Sequence, residues 1–302
     1  MAKPLEKKSA KILALILALI MLGSVLAYAF RGSTTTPSRE VRYSVTGVKE
    51  SIKLVSDSSR IYYLNLRTHD PNLIQLIDTY WQSLSQDYVF RFVRFTTVNS
   101  VFYVEYPSTT LGYYPYLFLF DVGQSKVFFS YDEKRDYMGV DLKIKNGYGF
   151  AENVNPIAIG TVDAVTMYID SISENKKVNN TYADYIDRIP DLDYSFIVVL
   201  TGDDAGQIIK MNKSSGNAAD FYFEGIAVNR TGGYDKVVAI NFKQNIFFIK
   251  SNITDYYNVT RYDSLNIAYM HDMNFTEIVA AKPEMRAFII QPIETNGNES
   301  RS

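Results

Sequence analysis

The chain reads as an α+β protein: an N-terminal transmembrane helix followed by two related, mainly antiparallel sheet domains, each with a covering helix. Three observations predict this. An uncharged apolar run, Ile12 to Phe30, lies near the start of the 302 residues; strand-length apolar and aromatic segments crowd the remainder; and short motifs recur about 120 residues apart.

The apolar run organises the rest. At the helical rise its nineteen residues span roughly 28 Å, close to the hydrocarbon thickness of a bilayer. Lys3, Lys7, Lys8 and Lys11 precede it against Glu6 alone, and basic residues beside a first helix stay on the cytoplasmic side. Residues 1–11 are therefore read as a cytoplasmic basic tail, 12–30 as a signal-anchor and 31–41 as a polar stalk. The chain behind them is expected outside the cell membrane, single-pass. Ala27-Tyr28-Ala29 also fits a signal-peptidase site, and cleavage after Ala29 would make the protein secreted.

Composition sets limits on the exported part. Residues 1–31 hold five of the 31 Lys and Arg and one of the 33 Asp and Glu, which leaves 26 basic against 32 acidic residues and a net charge near −6. Nucleic-acid binding requires the opposite balance, so no nucleic-acid partner is expected. Cysteine is absent, which removes disulfides, thiolate metal sites and cysteine nucleophiles. Hydrophobic residues make up 47% and tyrosine alone numbers 24, ample for cores that need no covalent staple.

The first domain is read over 42–175. Strands are expected at Val45–Leu54 and Ile61–Leu66. A helix then starts with Asp70 as N-cap and Pro71 at the first helical position, and carries Leu73, Ile74, Ile77, Trp81 and Leu84 at helical spacing. Further strands are expected at Tyr88–Thr96, Val101–Tyr106, Tyr116–Val122, Lys126–Tyr131, Gly139–Ile144 and Ala164–Ile169, from their β-branched and aromatic content. Polar residues 176–193 read as a linker. The second domain, 194–292, opens with the apolar strand Tyr194–Leu200 and a weaker helix near Gln207–Met211; 293–302 is a polar tail. The duplication rests on Phe128-Phe129 with Asp136-Tyr137 against Phe247-Phe248 with Asp255-Tyr256, and on Leu142-Lys143-Ile144 against Leu265-Asn266-Ile267.

Between Ile61 and Phe129, the order of strand, Pro-capped helix, strand, Tyr114-Pro115 and a further apolar strand resembles a thioredoxin-type core. The resemblance would place that family's C-x-x-C at His69-Asp70-Pro71-Asn72, where no cysteine stands, so it implies a fold and no redox activity.

Seven N-x-[ST] acceptors occur, at Asn179, Asn212, Asn229, Asn252, Asn258, Asn274 and Asn298. On an exported chain they read as candidate glycosylation sites. Catalytic motifs are scarce: there is no P-loop, G-x-S-x-G elbow or calcium loop, and no cofactor or metal is expected. The histidines are His69, beside Asp70, and His271, beside Asp272; the acidic groups Asp191, Asp193, Asp203 and Asp204 read as surface charge.

The expected function is thus a membrane-anchored, extracytoplasmic, glycosylated envelope protein with a non-catalytic binding or structural role, as an external subunit of a membrane complex or otherwise. Its partners would be the lipid bilayer, through residues 12–30, and a protein or surface polymer met by tyrosine-rich strands. The alternative is an extracytoplasmic hydrolase with a pocket near His69 and Asp70.

Overall fold

The structure, a computed structural model, describes residues 40–55, 58–108, 112–123, 125–173, 182–208 and 217–287. The anchor segment 12–30, residues 31–39 of the stalk, and Asn179, Asn212 and Asn298 lie outside these residues. Among the described residues no helix is long and apolar enough to cross a membrane.

The first half holds β1 (Tyr43–Ser44), α1 (Val48–Leu54), β2 (Arg60–Asn65), α2 (Pro71–Leu84), a 3₁₀ turn (Tyr88–Arg91), β3 (Val93–Phe95), β4 (Ser100–Glu105) and β5 (Tyr116–Asp121). It continues with β6 (Val127–Phe129), β7 (Glu133–Tyr137), β8 (Val140–Lys145), β9 (Tyr148–Ala151), β10 (Val154–Asn155), β11 (Ile157–Thr161) and α3 (Val162–Ser173). The second half holds α4 (Ala183–Arg188), β12 (Tyr194–Thr201), α5 (Gly202–Ile208), β13 (Ala219–Val228), β14 (Tyr234–Phe242), β15 (Ile246–Phe248), β16 (Tyr256–Tyr262), β17 (Leu265–Asp272), α6 (Phe275–Ala280) and β18 (Met285–Ala287).

The expected fold class is corrected on its main point. In place of two sheet domains, twelve strands form one antiparallel sheet in the order β16-β17-β14-β13-β12-β2-β4-β5-β11-β9-β8-β7. The seam between the halves is itself a strand pair: Phe196, Ile197, Val198, Val199 and Leu200 lie opposite Leu64, Tyr63, Tyr62, Ile61 and Arg60. The physical reason is visible in β12, YSFIVVLT, which has no polar alternation and must be covered on both faces. An edge strand of a separate domain would have been blunted. From Val41 onward the chain is one unit.

Strand alternation sorts the core into two layers. Tyr63, Phe102, Leu117, Leu119, Ile197, Val199, Phe221 and Val237 face α1, α3 and α4. Leu64, Phe118, Phe120, Phe196, Val238 and Met270 face α2, α6 and two small ribbons, β3 with β6 and β15 with β18. Helices thus lie on both sides of the sheet. The segment 45–54 expected as a strand is mostly helix α1, entered through Gly47 at φ 97°. Residues 164–169 are helical as well, because Ala164, Val165, Tyr168 and Ile169 repeat at helical spacing and are buried. Residues 88–96 divide into the 3₁₀ turn and β3.

Helix α2 follows its local code. Asp70 Oδ1 accepts the backbone N–H groups of Asn72 and Leu73, both at 3.0 Å, and Pro71 takes the first turn. The strand that follows the helix, β3, pairs with β6 outside the large sheet, and β2 has β4 as an antiparallel neighbour, Tyr62 opposite Tyr103, so the thioredoxin-like expectation is also corrected: a strand–helix–strand unit of that kind joins parallel strands.

Backbone approach is closest where β11 meets β5. A Cβ added at Gly160 would stand 2.2 Å from the Tyr116 carbonyl oxygen and 2.8 Å from Leu117 Cα. Both are main-chain atoms of an interior strand with no room to retreat. Gly160→Ala should lower stability by about 1–3 kcal/mol, the usual cost of overpacking, read as a lower midpoint in chemical denaturation; an unchanged midpoint would contradict this strand packing.

Candidate functional site

On the face covered by α2, the side chains near one end of the strands emerge as a row of tyrosines. In β2, β4 and β5 the alternation that buries Leu64, Val101 and Phe118 brings Tyr62, Tyr103 and Tyr116 to the same side. Tyr62 stands opposite Tyr103, Arg60 opposite Glu105, and Glu105 opposite Tyr116. Across the seam Leu200 joins Arg60 to Tyr222 of β13. From β13 to β9 the row crosses seven strands, roughly 29 Å at about 4.8 Å per strand.

The rings form a chain. Centroids are 5.9 Å apart for Tyr80 and Tyr62, 6.3 Å for Tyr62 and Tyr103, 6.2 Å for Tyr103 and Tyr116, 6.3 Å for Tyr116 and Tyr148, and 6.0 Å for Tyr148 and Tyr88. Tyr62, Tyr80, Tyr103, Tyr116 and Tyr148 are partly buried and Tyr88 is exposed, at 44%. Beneath them Phe118 packs 5.0 Å from both Tyr103 and Phe90, which fixes the shelf to the core.

Carboxylates orient the hydroxyls. Tyr116 donates to Asp87 Oδ1 at 2.7 Å, and the same oxygen accepts the Val89 N–H at 2.8 Å, capping the 3₁₀ turn. Tyr103 donates weakly to Glu105 at 3.4 Å, and Tyr222 donates to Glu224. Glu224 is in turn paired with buried Lys236 at 2.9 Å, whose ammonium also donates to the carbonyls of Val279 and Ala281 behind α6. Arg60 makes two hydrogen bonds with Asp204, at 2.8 and 3.1 Å. The shelf therefore presents aromatic rings and acceptor oxygens, with the Arg60 guanidinium paired to Asp204 among them and the Arg91 guanidinium 4.7 Å from the Tyr88 ring centre.

The residues singled out from the sequence are dispersed. His69 is exposed. Both oxygens of Asp70 are committed, Oδ1 to the cap and Oδ2 to the Tyr234 hydroxyl at 2.8 Å, which Asn72 also reaches at 2.8 Å. His271 Nδ1 lies 2.9 Å from Asp235 Oδ1. Tyr234 and Asp235 are successive strand residues and point to opposite faces, so the sheet separates the Asp70 group from the His271 group. Asp203 accepts from Asn217 and Asp204 is held by Arg60. No set of three His, Asp or Glu side chains arranged to hold a metal occurs among the described residues. A cleft of about 300 Å³ opens on the other face, between α1 and the strands, with Ser51, Tyr63, Ser100, Asp121 and Asn155 in its wall.

The acceptor asparagines differ in setting. Asn252, Asn258 and Asn274 are exposed, Asn274 serving as N-cap of α6 through Oδ1. Asn229 instead donates through Nδ2 to both oxygens of Asp235, at 3.0 and 2.9 Å. The tyrosine row carries no motif; its sequence signal is the placement of Tyr62, Tyr103 and Tyr116 at corresponding phases of three strands.

Residues 44–173 match the model described as the AF_2048_N family N-terminal domain. An archaeal relative from Archaeoglobus fulgidus, described as an uncharacterized protein, is 32% identical over 99% of this chain and the whole of its own length. No solved structure matches.

Burial holds the shelf phenols in the neutral form. Tyr103, Tyr116 and Tyr222 are pushed far above the ordinary value of 10.0, foremost by desolvation, and further by Glu105 at Tyr103, by Tyr148 and then Asp87 at Tyr116, and by Glu224 at Tyr222; on the other face burial pushes Tyr63 up to about 12. Groups whose folded pKa is raised stabilise the fold fully below pH 10, and that contribution is lost as pH rises through the folded values. Stability should therefore fall steeply above pH 10, with native tyrosinate absorbance lagging behind that of the denatured chain. Coincident native and denatured titrations would show the phenols to be solvated.

Proposed function

The chain belongs to the AF_2048_N family, with the Archaeoglobus fulgidus protein as a relative along nearly its whole length, and from that premise we propose that it is a membrane-anchored, extracytoplasmic binding protein that holds a surface saccharide polymer against its tyrosine shelf. The observation that carries this reading is the continuous row Tyr80, Tyr62, Tyr103, Tyr116, Tyr148 and Tyr88 flanked by Glu105 and Asp87.

The chemistry fits a hydroxyl-rich chain. Ring faces offer apolar contact to the C–H faces of sugars, while carboxylate oxygens accept sugar hydroxyls. With Tyr222 across the seam the shelf is roughly 29 Å long, which takes an extended polymer better than a compact metabolite. Fixing the rings on strands and on Phe118 limits the entropy lost on binding. For the location, support comes from the uncharged run at 12–30 with its lysine-rich N-terminal flank. The relative is aligned to all but a few residues of this chain, so that run falls within the shared length.

The test is calorimetric titration of the detergent-solubilised full chain with polysaccharide extracted from its own envelope. Tyr62→Ala and Tyr103→Ala should each weaken binding about fivefold to tenfold, on the order of 1 kcal/mol per ring, without a change in far-ultraviolet dichroism. Unaltered affinity in the double variant would refute the shelf. Capture of a protein subunit at the same tyrosines would replace the polymer with a protein partner. External protease on intact cells should degrade the described part.

A further inference from the structure

The two edges of the sheet are built differently. Strand β7 reads EKRDY; Glu133, Lys134, Arg135 and Asp136 are exposed, and Lys134 reaches Asp141 across the pair at 2.8 Å. Such charge deters a further strand. Strand β16 reads YYNVTRY, longer by two residues and with one charge, Arg261. That residue is exposed, and its guanidinium is tied to the neighbouring ribbon, donating to the Phe248 carbonyl and lying 4.3 Å from the Phe247 ring centre. Tyr256 and Tyr262 are 53% and 40% exposed, and among the described residues β16 pairs with β17 alone. By composition this edge is an open template for a second copy of the chain.

An acceptor asparagine sits in the middle of it. Asn258 and Thr260, two positions apart on the strand, share one face and are both exposed. Asn252 is exposed six residues earlier. The Asn258 side-chain amide makes no hydrogen bond among the described residues, in contrast to Asn229, whose Nδ2 is bound to both oxygens of Asp235, itself only 4% exposed. A sugar on Asn229 would have to displace that buried contact.

We infer that Asn258 carries an N-linked glycan that shields the β16 edge, and that Asn229, although it has the same acceptor pattern, stays unmodified. This rests on the proposed export. In the modification, Asn258 Nδ2 forms a bond to the anomeric carbon of a lipid-phosphate-linked oligosaccharide; the bond from that carbon to the phosphate oxygen breaks, the lipid phosphate leaves with the electron pair, and the amide gives up one proton to a base. An added strand would lie about 4.8 Å away with its own side chains about 5 Å from Asn258, space that a branched sugar occupies.

The experiment uses the full chain expressed in its native host and recovered from membranes. Glycopeptide mass spectrometry should find Asn258 occupied and Asn229 bare. Thr260→Ala removes the acceptor pattern and should raise the cross-linked dimer fraction about tenfold, equivalent to roughly 1.4 kcal/mol. Thr260→Lys removes the same pattern while placing a charge on the edge, and should stay as monomeric as the parent. Bare Asn258 with Asn252 or Asn274 occupied would overturn the inference while leaving export standing. A Thr260→Ala chain that stays monomeric would overturn the shielding role. Bare sites throughout, together with protection from external protease, would remove both the inference and the export on which it rests.

Discussion

The pairing of β2 with β12 is the interaction on which the rest of the molecule depends. Five residue pairs in antiparallel register join segments about 135 positions apart, and both faces of the seam are covered. Ile61, Leu64, Ile197 and Val199 are at most 1% exposed and Phe196 is 3% exposed. Each such side chain contributes about 1.5–3 kcal/mol on burial. The half-exposed Arg60–Asp204 pair that crosses the same seam is worth about 1 kcal/mol or less. Hydrophobic burial therefore holds the halves together, and the ion pair sets local geometry at the rim. The six-ring tyrosine row lies wholly within the first half, and closing the seam extends it through Leu200 to Tyr222 of the second.

Local chemistry was legible where it is self-contained. Asp70, Pro71 and the apolar spacing of α2 specify that helix within a few residues, and the structure shows the cap they imply. Misreadings fall where composition and period compete. Val162–Ser173 is rich in β-branched residues, yet Ala164, Val165, Tyr168 and Ile169 lie on one helical stripe, and period outweighs propensity. The reading of two sheet domains gave weight to the polar stretch before Tyr194. Such a stretch marks where the chain leaves a sheet, which is compatible with its return to the same sheet. The unbroken apolar run of β12 was the better signal, because a strand without polar alternation belongs inside.

The shelf was half visible. Tyrosine-rich strands can be read directly, but whether Tyr62, Tyr103 and Tyr116 converge is decided by register, and a shift of one residue would send any of them to the opposite face. Their company also matters. Phenylalanine would give the same ring contacts, whereas the hydroxyls allow Asp87, Glu105 and Glu224 to fix orientation and leave acceptor oxygens at the surface. The recurring Asp-Tyr motifs have a plain placement: Asp136-Tyr137 lies in β7, and Tyr256, just after Asp255, opens β16, so they stand at opposite margins of the sheet.

The family's N-terminal domain, as matched here, stops at residue 173, short of β12. A polypeptide cut at that border would keep β2 but lack the strand that satisfies its outer amides, and Leu64 would lose its cover from Phe196. It would be a half-sheet with an adhesive margin. Any member of the family built from this portion alone must supply a substitute strand, from elsewhere in its own chain or from a companion subunit, before it can persist in solution.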